Sequence, residues 1–358
     1  MRQNVERAGR IFILMIFLLS LPACGTGGGG TGGSPPPSTS FSPPTGNSSP
    51  TSFGKIAIDS QNNVWVTTNT GLMEIPAKAT SCATASDCPI LTLGFGPAGI
   101  VVDGSGNIWV TNTGNGTVME INSSCFSSPS SCPTFSGSTY FSNPTGIAVD
   151  SNNNIWVTNT GNGTVTEITS GTTTCSSSKC PTFSGSTYFS NPTGIAVDSK
   201  NNVWVTNDTS TGSVTEIPSS TTTCSSSICQ KFSGFSNPVA VTTTGKIPWV
   251  ANTGTGSSYS PGVVEINSSC QSGGCPEITH FTQPVGLAFD TSGNLWVIDA
   301  GNSTTVEITA LAIASATCSS STPCYQYSLP AAPAGVATDS LGNIWISLVN
   351  AQVIEYKP

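Results

Sequence analysis

The chain has 358 residues, only 8% of them charged, and a formal charge of −8 at pH 7. Without residues 1–23 it has 7 basic and 17 acidic side chains, a charge of −10. Nucleic-acid binding requires clustered Lys and Arg to replace counterions on phosphates, and the seven lysines that remain are scattered, so nucleic acid is excluded as a partner. Few charges with abundant Ser, Thr, Asn and Gly favour an all-β secreted protein.

Residues 1–23 are predicted to be an export signal. Three arginines precede an apolar run over residues 11–21, which is shorter than the ~20 residues needed to span a bilayer. The run ends in Leu-Pro-Ala-Cys at 21–24, which resembles the lipobox of bacterial lipoproteins. The resemblance implies that Cys24 is lipidated and anchors the chain to a membrane. Because Gly25 follows, it also implies the outer membrane where two membranes are present. An ordinary signal with an incidental cysteine is the alternative.

Residues 24–50 are predicted to carry the lipidated cysteine, a flexible tether and a closing strand. The stretch is rich in Gly, Ser, Thr and Pro, a composition that cannot bury a core. Such a tether would hold a folded body away from the membrane surface.

Seven repeats of about 45 residues follow, each centred on one tryptophan. The tryptophans are Trp65, Trp109, Trp156, Trp204, Trp249, Trp296 and Trp345. The clearest unit, residues 144–168, recurs almost unchanged at 192–217. Its runs Gly-Ile-Ala-Val-Asp, Ile-Trp-Val-Thr-Asn and Thr-Val-Thr-Glu-Ile favour strands and are separated by turn-forming residues. A Phe-rich stretch after the third run predicts a fourth strand.

Four strands in each ~40–50-residue unit predict an all-β fold, a seven-bladed β-propeller of four-stranded blades over residues 51–358. A β-helix or separate small domains are the alternative, but each unit is long for a coil and too short for its own core. Blade five deviates, because Pro238 to Trp249 is one residue shorter and Thr242 stands where other blades carry Asp. The frame P-x-G-I-A-x-D, N-x-W-V-T-N, V-x-E-I resembles the NHL and virginiamycin B lyase-like propeller repeats.

The last repeat needs a strand from the N-terminal segment. The chain ends soon after the third run of the seventh unit, residues 353–355, so this blade lacks a fourth strand of its own. Residues 41–46, Phe-Ser-Pro-Pro-Thr-Gly, echo residues 141–146 and place a closing strand near 37–42. An open edge would expose unpaired backbone groups.

Twelve cysteines remain beyond Cys24, and they form one close pair in each segment between repeats. The pairs are Cys82 with Cys88, Cys125 with Cys132, Cys175 with Cys180, Cys224 with Cys229, Cys270 with Cys275 and Cys318 with Cys324. Each would flank the hairpin to the fourth strand, where Cα separations of about 4.4–6.8 Å permit a disulfide. Zinc is the alternative, but a tetrahedral site needs four ligands and pairs on different blades lie far apart. Six disulfides in an oxidising compartment are therefore predicted.

Two sets of side chains are candidate ligand contacts on one face of the propeller. The loops after the second strand carry Asn112, Asn159, Asn207, Asn252 and Asp299. The segments that lead into the first strand carry Phe95, Phe141, Phe189, Phe235 and Phe281. Amides beside aromatics could bind a glycan or a peptide strand. The alternative is that the Asn residues form turns and the aromatics pack between blades.

The resemblance also implies an enzymatic alternative. Virginiamycin B lyase uses histidines and acidic groups with magnesium in its channel, and related lactonases use calcium. Here the sole histidine, His280, is expected near an outer strand, and Glu167 and its counterparts are expected too far apart to share an ion. Residues 150–154 predict a hairpin turn rather than a calcium loop. The positions that enter the channel are small or apolar, namely Ala98, Thr145, Thr193, Val239, Val285 and Ala334.

These patterns predict a monomeric, extracytoplasmic binding or scaffold lipoprotein with no catalytic residues, metal or cofactor. Its expected partner is a protein or glycan of the cell envelope, and its contact with the membrane is through the lipid anchor only. A divalent-metal-dependent lyase or lactonase is the alternative function.

Overall fold

The computed structural model describes residues 35–45, 49–219, 221–225, 227–254, 258–271, 274–318 and 324–358. Over these ranges, 28 strands form seven four-stranded antiparallel sheets. Helical structure is limited there to two 3₁₀ turns, Pro129–Ser131 and Ser268–Gln271, and one α-helix, Ala310–Ser315. The export signal and Cys24 lie outside the described residues.

Each blade has four strands, counted here from the channel outwards. The first strands are β2 (Phe53–Ile58), β6 (Gly99–Val102), β10 (Pro144–Val149), β14 (Pro192–Val197), β18 (Pro238–Thr244), β22 (Pro284–Phe289) and β26 (Pro333–Thr338). The second strands are β3 (Val64–Thr68), β7 (Ile108–Asn112), β11 (Ile155–Asn159), β15 (Val203–Asn207), β19 (Ile247–Asn252), β23 (Leu295–Asp299) and β27 (Ile344–Leu348). The third strands are β4 (Gly71–Ile75), β8 (Thr117–Ile121), β12 (Thr164–Ile168), β16 (Gly212–Ile217), β20 (Gly262–Glu265), β24 (Thr304–Ile308) and β28 (Gln352–Tyr356). The fourth strands are β5 (Ile90–Thr92), β9 (Thr134–Phe135), β13 (Thr182–Phe183), β17 (Gln230–Phe235), β21 (Glu277–Ile278), β25 (Cys324–Ser328) and β1 (Ser38–Phe41).

The seventh blade is completed by the N-terminal strand, as the sequence predicts. Six sheets use consecutive strands, whereas the seventh has the order β26-β27-β28-β1. Ser38 lies opposite Tyr356 and Phe41 opposite Val353. The side chain of Phe41 is buried against Trp345, with ring centroids 5.5 Å apart. The N-terminal strand therefore pairs with the edge strand β28 and also contributes Phe41 to the core of this blade.

The first strands form a closed ring, because each contacts the first strands of both neighbouring blades. The core lies between blades, in clusters that each contain a second-strand tryptophan. Trp156, for example, packs with Phe183 of its own blade and with Val203 and Val205 of the next. Burial of an aromatic of this size contributes about 4–6 kcal/mol before the entropy cost of folding. The tryptophan period thus marks the interfaces that hold the ring together.

Blade five is a complete blade with a shorter first turn. Thr242 lies opposite Trp249, as Ala148 lies opposite Trp156. The expectation that Thr242 replaces the aspartate is therefore wrong: Thr244 does, because the one-residue deletion falls in the turn. Thr244 pairs with Ile247 across a two-residue turn, in which Gly245 has a φ of 60°.

Candidate functional site

The propeller has two faces with different chemistry. The loop face carries the connections between second and third strands and the lead-in segments, which precede each first strand. The turn face carries the turns between first and second strands and the disulfide-bearing connections to the fourth strands. This arrangement follows from the antiparallel order of every blade.

On the loop face, the structure places the five predicted Asn and Asp side chains beneath the surface. Asn112 is 4% exposed, and the other four are at most 1% exposed. Asn207 Oδ1 accepts from the backbone N–H of Ser190 at 3.1 Å, and its Nδ2 donates to the hydroxyls of Ser213 and Thr215, each at 3.1 Å. Asp299 accepts three backbone N–H groups at 2.7–3.1 Å. These side chains fix the loops of this face, and each accepts at least one backbone N–H of the protein.

The aromatics of the lead-in segments are also largely internal. Phe141, Phe189 and Phe235 are 1–2% exposed, Phe281 is 9% exposed, and Phe95 is half-buried. Phe141 and Phe189 pack in the clusters between blades. The loop face stays a prediction as the ligand face, but the contacts there have to come from other side chains.

A duplicated surface supplies such side chains. Residues 133–151 and 181–199 are identical in sequence and fold alike, with Gly137 and Gly185 at φ values of 118° and 129°. Each copy presents a half-buried tyrosine, Tyr140 or Tyr188, beside exposed Ser, Thr and Asn residues. The loop face thus shows the same set of groups at two successive blade junctions.

On the turn face, an aspartate at the end of the first strand organises the turn of every blade except blade five. Asp150 Oδ1 accepts from the N–H groups of Asn152 and Asn154, at 2.8 and 2.9 Å. Its Oδ2 accepts from the Asn154 amide at 3.0 Å and from the Trp156 indole at 3.2 Å. The same pattern recurs at Asp59, Asp103, Asp198, Asp290 and Asp339. The hairpin-turn interpretation is therefore confirmed.

The recurrent glutamates lie across the strand pair from the tryptophans, as Glu167 lies opposite Trp156. Burial, together with a smaller contribution from the nearby Asp150, raises the pKa of Glu167 to about 7. Burial also raises the pKa values of Glu74, Glu120, Glu216, Glu307 and Glu355. A cleft of about 260 Å³ between blades two and three has Asp103 and Glu120 in its wall. Over the described ranges, no three His, Cys, Asp or Glu side chains lie close enough together to hold a metal ion.

The channel contains a charged residue that the sequence prediction omitted. A cavity of about 280 Å³ is lined by first-strand residues of blades one to five, among them Lys55 of β2. Lys55 Nζ donates to the backbone carbonyl of Ala334 in blade seven at 3.0 Å. Its side chain keeps accessible surface within the channel, yet the surrounding blades lower its pKa by desolvation.

Lys55 was missed because blade one begins its first strand with Phe53 instead of the proline that marks most other blades. Counting back from tryptophan would have found it. Lys55 lies ten residues before Trp65, as Gly146 lies ten residues before Trp156. The small or apolar entry positions have Gly54 as their counterpart in blade one, and Lys55 lies one residue beyond it, at a position that the sequence prediction did not include.

The twelve cysteines form the six predicted disulfides in the connections between third and fourth strands. The bridges join Cys82 to Cys88, Cys125 to Cys132, Cys175 to Cys180, Cys224 to Cys229, Cys270 to Cys275 and Cys318 to Cys324, with Cα separations of 4.4–5.4 Å. They indicate an oxidising, extracytoplasmic compartment.

Most of these bridges reach into the interior of the protein. The spacing of the cysteines in the sequence does not predict this burial. The second cysteine of each of the first five pairs lies in the interior at no more than 9% exposure, namely Cys88, Cys132, Cys180, Cys229 and Cys275. These sulfur atoms pack in the clusters between blades, as Cys180 does with Trp109 and Ile168. The first five bridges are therefore anchored in the core by their second cysteine, whereas both cysteines of the sixth, Cys318 and Cys324, are half-buried.

The histidine lies where the sequence suggested, near an outer strand. His280 is exposed in the segment between β21 and β22. In the part of the chain that is described, no helix is long and apolar enough to cross a membrane.

Comparison with known proteins agrees with this architecture. Residues 141–167 match the NHL repeat family. The chain is a seven-bladed propeller in which one segment is similar to an NHL repeat. No curated protein matches the sequence.

Solved structures give the same fold. Virginiamycin B lyase from Staphylococcus aureus is 16% identical with a TM-score of 0.68, over 90% of this chain and 99% of that one. Hydrazine synthase of Kuenenia stuttgartiensis is 13% identical with a TM-score of 0.69, over 86% and 96%. The extracellular domain of a hybrid two-component system from B. thetaiotaomicron is 16% identical with a TM-score of 0.61, over 91% and 42%. Identities this low show the fold alone, because one fold serves many functions.

Proposed function

We propose that this NHL-type propeller is a non-catalytic, monomeric binding scaffold of the bacterial cell envelope, anchored through lipidated Cys24. The duplicated loop-face surface, with Tyr140 in one copy and Tyr188 in the other, carries the proposal. The six disulfides support the extracytoplasmic location, and the resemblance of residues 21–24 to a lipobox supports the anchor.

The favoured ligand is an extended envelope glycan. Each copy sets an aromatic ring with a phenol group beside exposed hydroxyls and amides, which suits sugar rings with many hydroxyl groups. Two identical copies on successive junctions match a polymer with repeating units. Weak contacts at each copy then combine, because the second binding event is intramolecular.

Binding of isolated peptidoglycan and other envelope glycans to the exported Cys24→Ala chain tests the ligand. Tyr140→Ala or Tyr188→Ala alone should weaken binding about tenfold, and the double variant should weaken it more than a hundredfold, because avidity is lost. Tyr325→Ala, which changes a half-buried tyrosine in blade six, is the matched control and should bind like wild type. Glycan binding that the double variant leaves unchanged, or specific capture of an envelope protein instead, would contradict the glycan assignment.

Labelled fatty acid tests the anchor, and light scattering of the Cys24→Ala chain tests the monomeric state. Wild type should incorporate label and fractionate with membranes, whereas Cys24→Ala should do neither. Equal, negligible labelling of both would rule out lipidation. Lyase or hydrolase activity that a chelator abolishes would replace the scaffold role with the enzymatic alternative.

A further inference from the structure

A lysine breaks the repeat at the wall of the channel. The register of the first two strands aligns Lys55 with a glycine in five blades and an alanine in blade five. The counterparts are Gly99, Gly146, Gly194, Ala240, Gly286 and Gly335. Blade one therefore carries a long cationic side chain at a position where the other blades carry glycine or alanine.

The position is normally crowded by the next blade. A Cβ added at Gly99 would lie 2.4 Å from the carbonyl oxygen of Thr145, and one added at Gly146 would lie 2.1 Å from that of Thr193. Next to Lys55, the first strand β6 is four residues long, whereas the other first strands have six or seven. The ring is thus locally altered beside the lysine.

The Lys55 ammonium has little compensation from the protein. It has three donors, and its hydrogen-bond partner in the described chain is the Ala334 carbonyl. No ion pair to it occurs among the described residues. The first strands of blades two to seven contain no charged side chain. The aspartates that follow β2, β6 and β26, namely Asp59, Asp103 and Asp339, bind tryptophan indoles at the turn face.

The walls of the cavity around the ammonium contain apolar and polar groups. Together with Lys55, the residues that line it include Ile56, Ile100, Ile147, Ile195 and Val241, and also Thr145 and Thr193. The cavity, about 280 Å³, lies near the lower end of the range for small-molecule pockets, ~300–1,000 Å³. One cation beside an apolar wall is complementary to a small molecule that has one negative group and an apolar body.

We propose that the channel binds a small organic carboxylate with an apolar body, whose carboxylate group pairs with Lys55. A charge-assisted hydrogen bond to Nζ would use donors that the protein leaves free, and the isoleucines would cover the body of the ligand. The site is independent of the glycan surface on the loop face.

Calorimetry of the exported Cys24→Ala chain with benzoate, benzyl alcohol and inorganic phosphate tests this site. Benzoate should bind with one-to-one stoichiometry, and Lys55→Met should weaken it at least tenfold, as should Lys55→Gly, which restores the residue of the other blades. Lys78→Met, at an exposed lysine, should bind like wild type. Benzyl alcohol should bind wild type and Lys55→Met equally. Equal benzoate affinity in wild type and both Lys55 variants would overturn the proposal, as would tighter binding of phosphate than of benzoate.

A second measurement needs no variant. Reductive methylation followed by mass spectrometry reports the accessibility of each lysine, and benzoate should slow the modification of Lys55 at least fivefold while leaving Lys78 and Lys200 unchanged. Modification of Lys55 at the same rate with and without saturating benzoate would overturn the proposal. A lower melting temperature in Lys55→Gly with no benzoate effect on wild type would assign Lys55 a purely structural role.

Discussion

The end of the first strand and the end of the second strand carry polar residues that resemble one another in sequence but act differently in the fold. In blade three, Asp150 at the turn face holds residues within six positions of itself, and it is 8% exposed. Asn159 at the loop face is fully buried, and its Oδ1 accepts from Ser142, 17 positions away. The turn-face residue organises one hairpin, whereas the loop-face residue ties the lead-in segment to its blade. The burial of each side chain and the sequence range of its contacts should therefore decide how far its loss lowers the free energy of unfolding.

The largest effect is expected at Asp299, the loop-face residue of blade six. Asp299→Ala leaves the N–H groups of Thr282, Gln283 and Gly301 without their acceptor, which should lower the free energy of unfolding by about 3 kcal/mol. Urea denaturation measures this. Asp299→Asn, which installs the residue found in blades two to five, keeps one acceptor and should lose less than half as much. Equal losses in the two variants would show that the hydrogen bonds are not the cause.

A smaller effect is expected at Asp150 on the turn face. Asp150→Ala removes four hydrogen bonds, but water can reach the turn and replace part of them, so a loss of about 1–2 kcal/mol is expected. Urea denaturation under the same conditions gives the comparison. The contrast between the faces fails if this variant is less stable than Asp299→Ala.

The smallest effect is expected at Glu167 and depends on pH. Because its pKa in the folded state is about 7, above the ordinary 4.5, its contribution to stability is complete below pH 4.5 and is lost as the pH rises through 7. Glu167→Gln mimics the protonated form and should raise stability at pH 8 by about 1 kcal/mol, after allowance for solvent screening, with little change at pH 5. Thermal melts at both pH values measure this.

Glu265→Gln is the matched control for the charge pairing, because Thr244 replaces the turn-face aspartate in blade five. A gain at pH 8 as large in Glu265→Gln as in Glu167→Gln would show that Asp150 has no part in the effect.

The sequence predicts the fold well because its signals are local and repeated. One tryptophan per unit, turn residues at fixed positions and paired cysteines each constrain a short stretch, and together they predict seven blades and six disulfides. The closing strand was predictable from the echo of residues 141–146 at 41–46, since a propeller must leave no open edge.

The candidate site was less predictable because burial is not local. Asn159 in a Thr-Asn-Thr-Gly sequence has the composition of an exposed turn whether or not another segment covers it. Ser142, which covers it here, lies 17 positions away. Lys55 was harder to recognise for the opposite reason: blade one departs from the Pro-x-Gly frame, so Lys55 aligns with the glycines only when positions are counted from tryptophan or from the strand register. The deletion in blade five was misplaced by two residues because Thr242, Thr243 and Thr244 are identical in type.

The pairing of Ser38 with Tyr356 also sets an order of events as the chain is made and exported. Blades one to six each use a contiguous segment and contain a disulfide. Blade seven needs β1 and β28, which are the first and the last of the described strands. Before β28 is in place, the ring is an open arc bounded by the first strands β2 and β26. Closure of the ring therefore depends on β28, and chains truncated before β28 would be unclosed arcs prone to associate with one another.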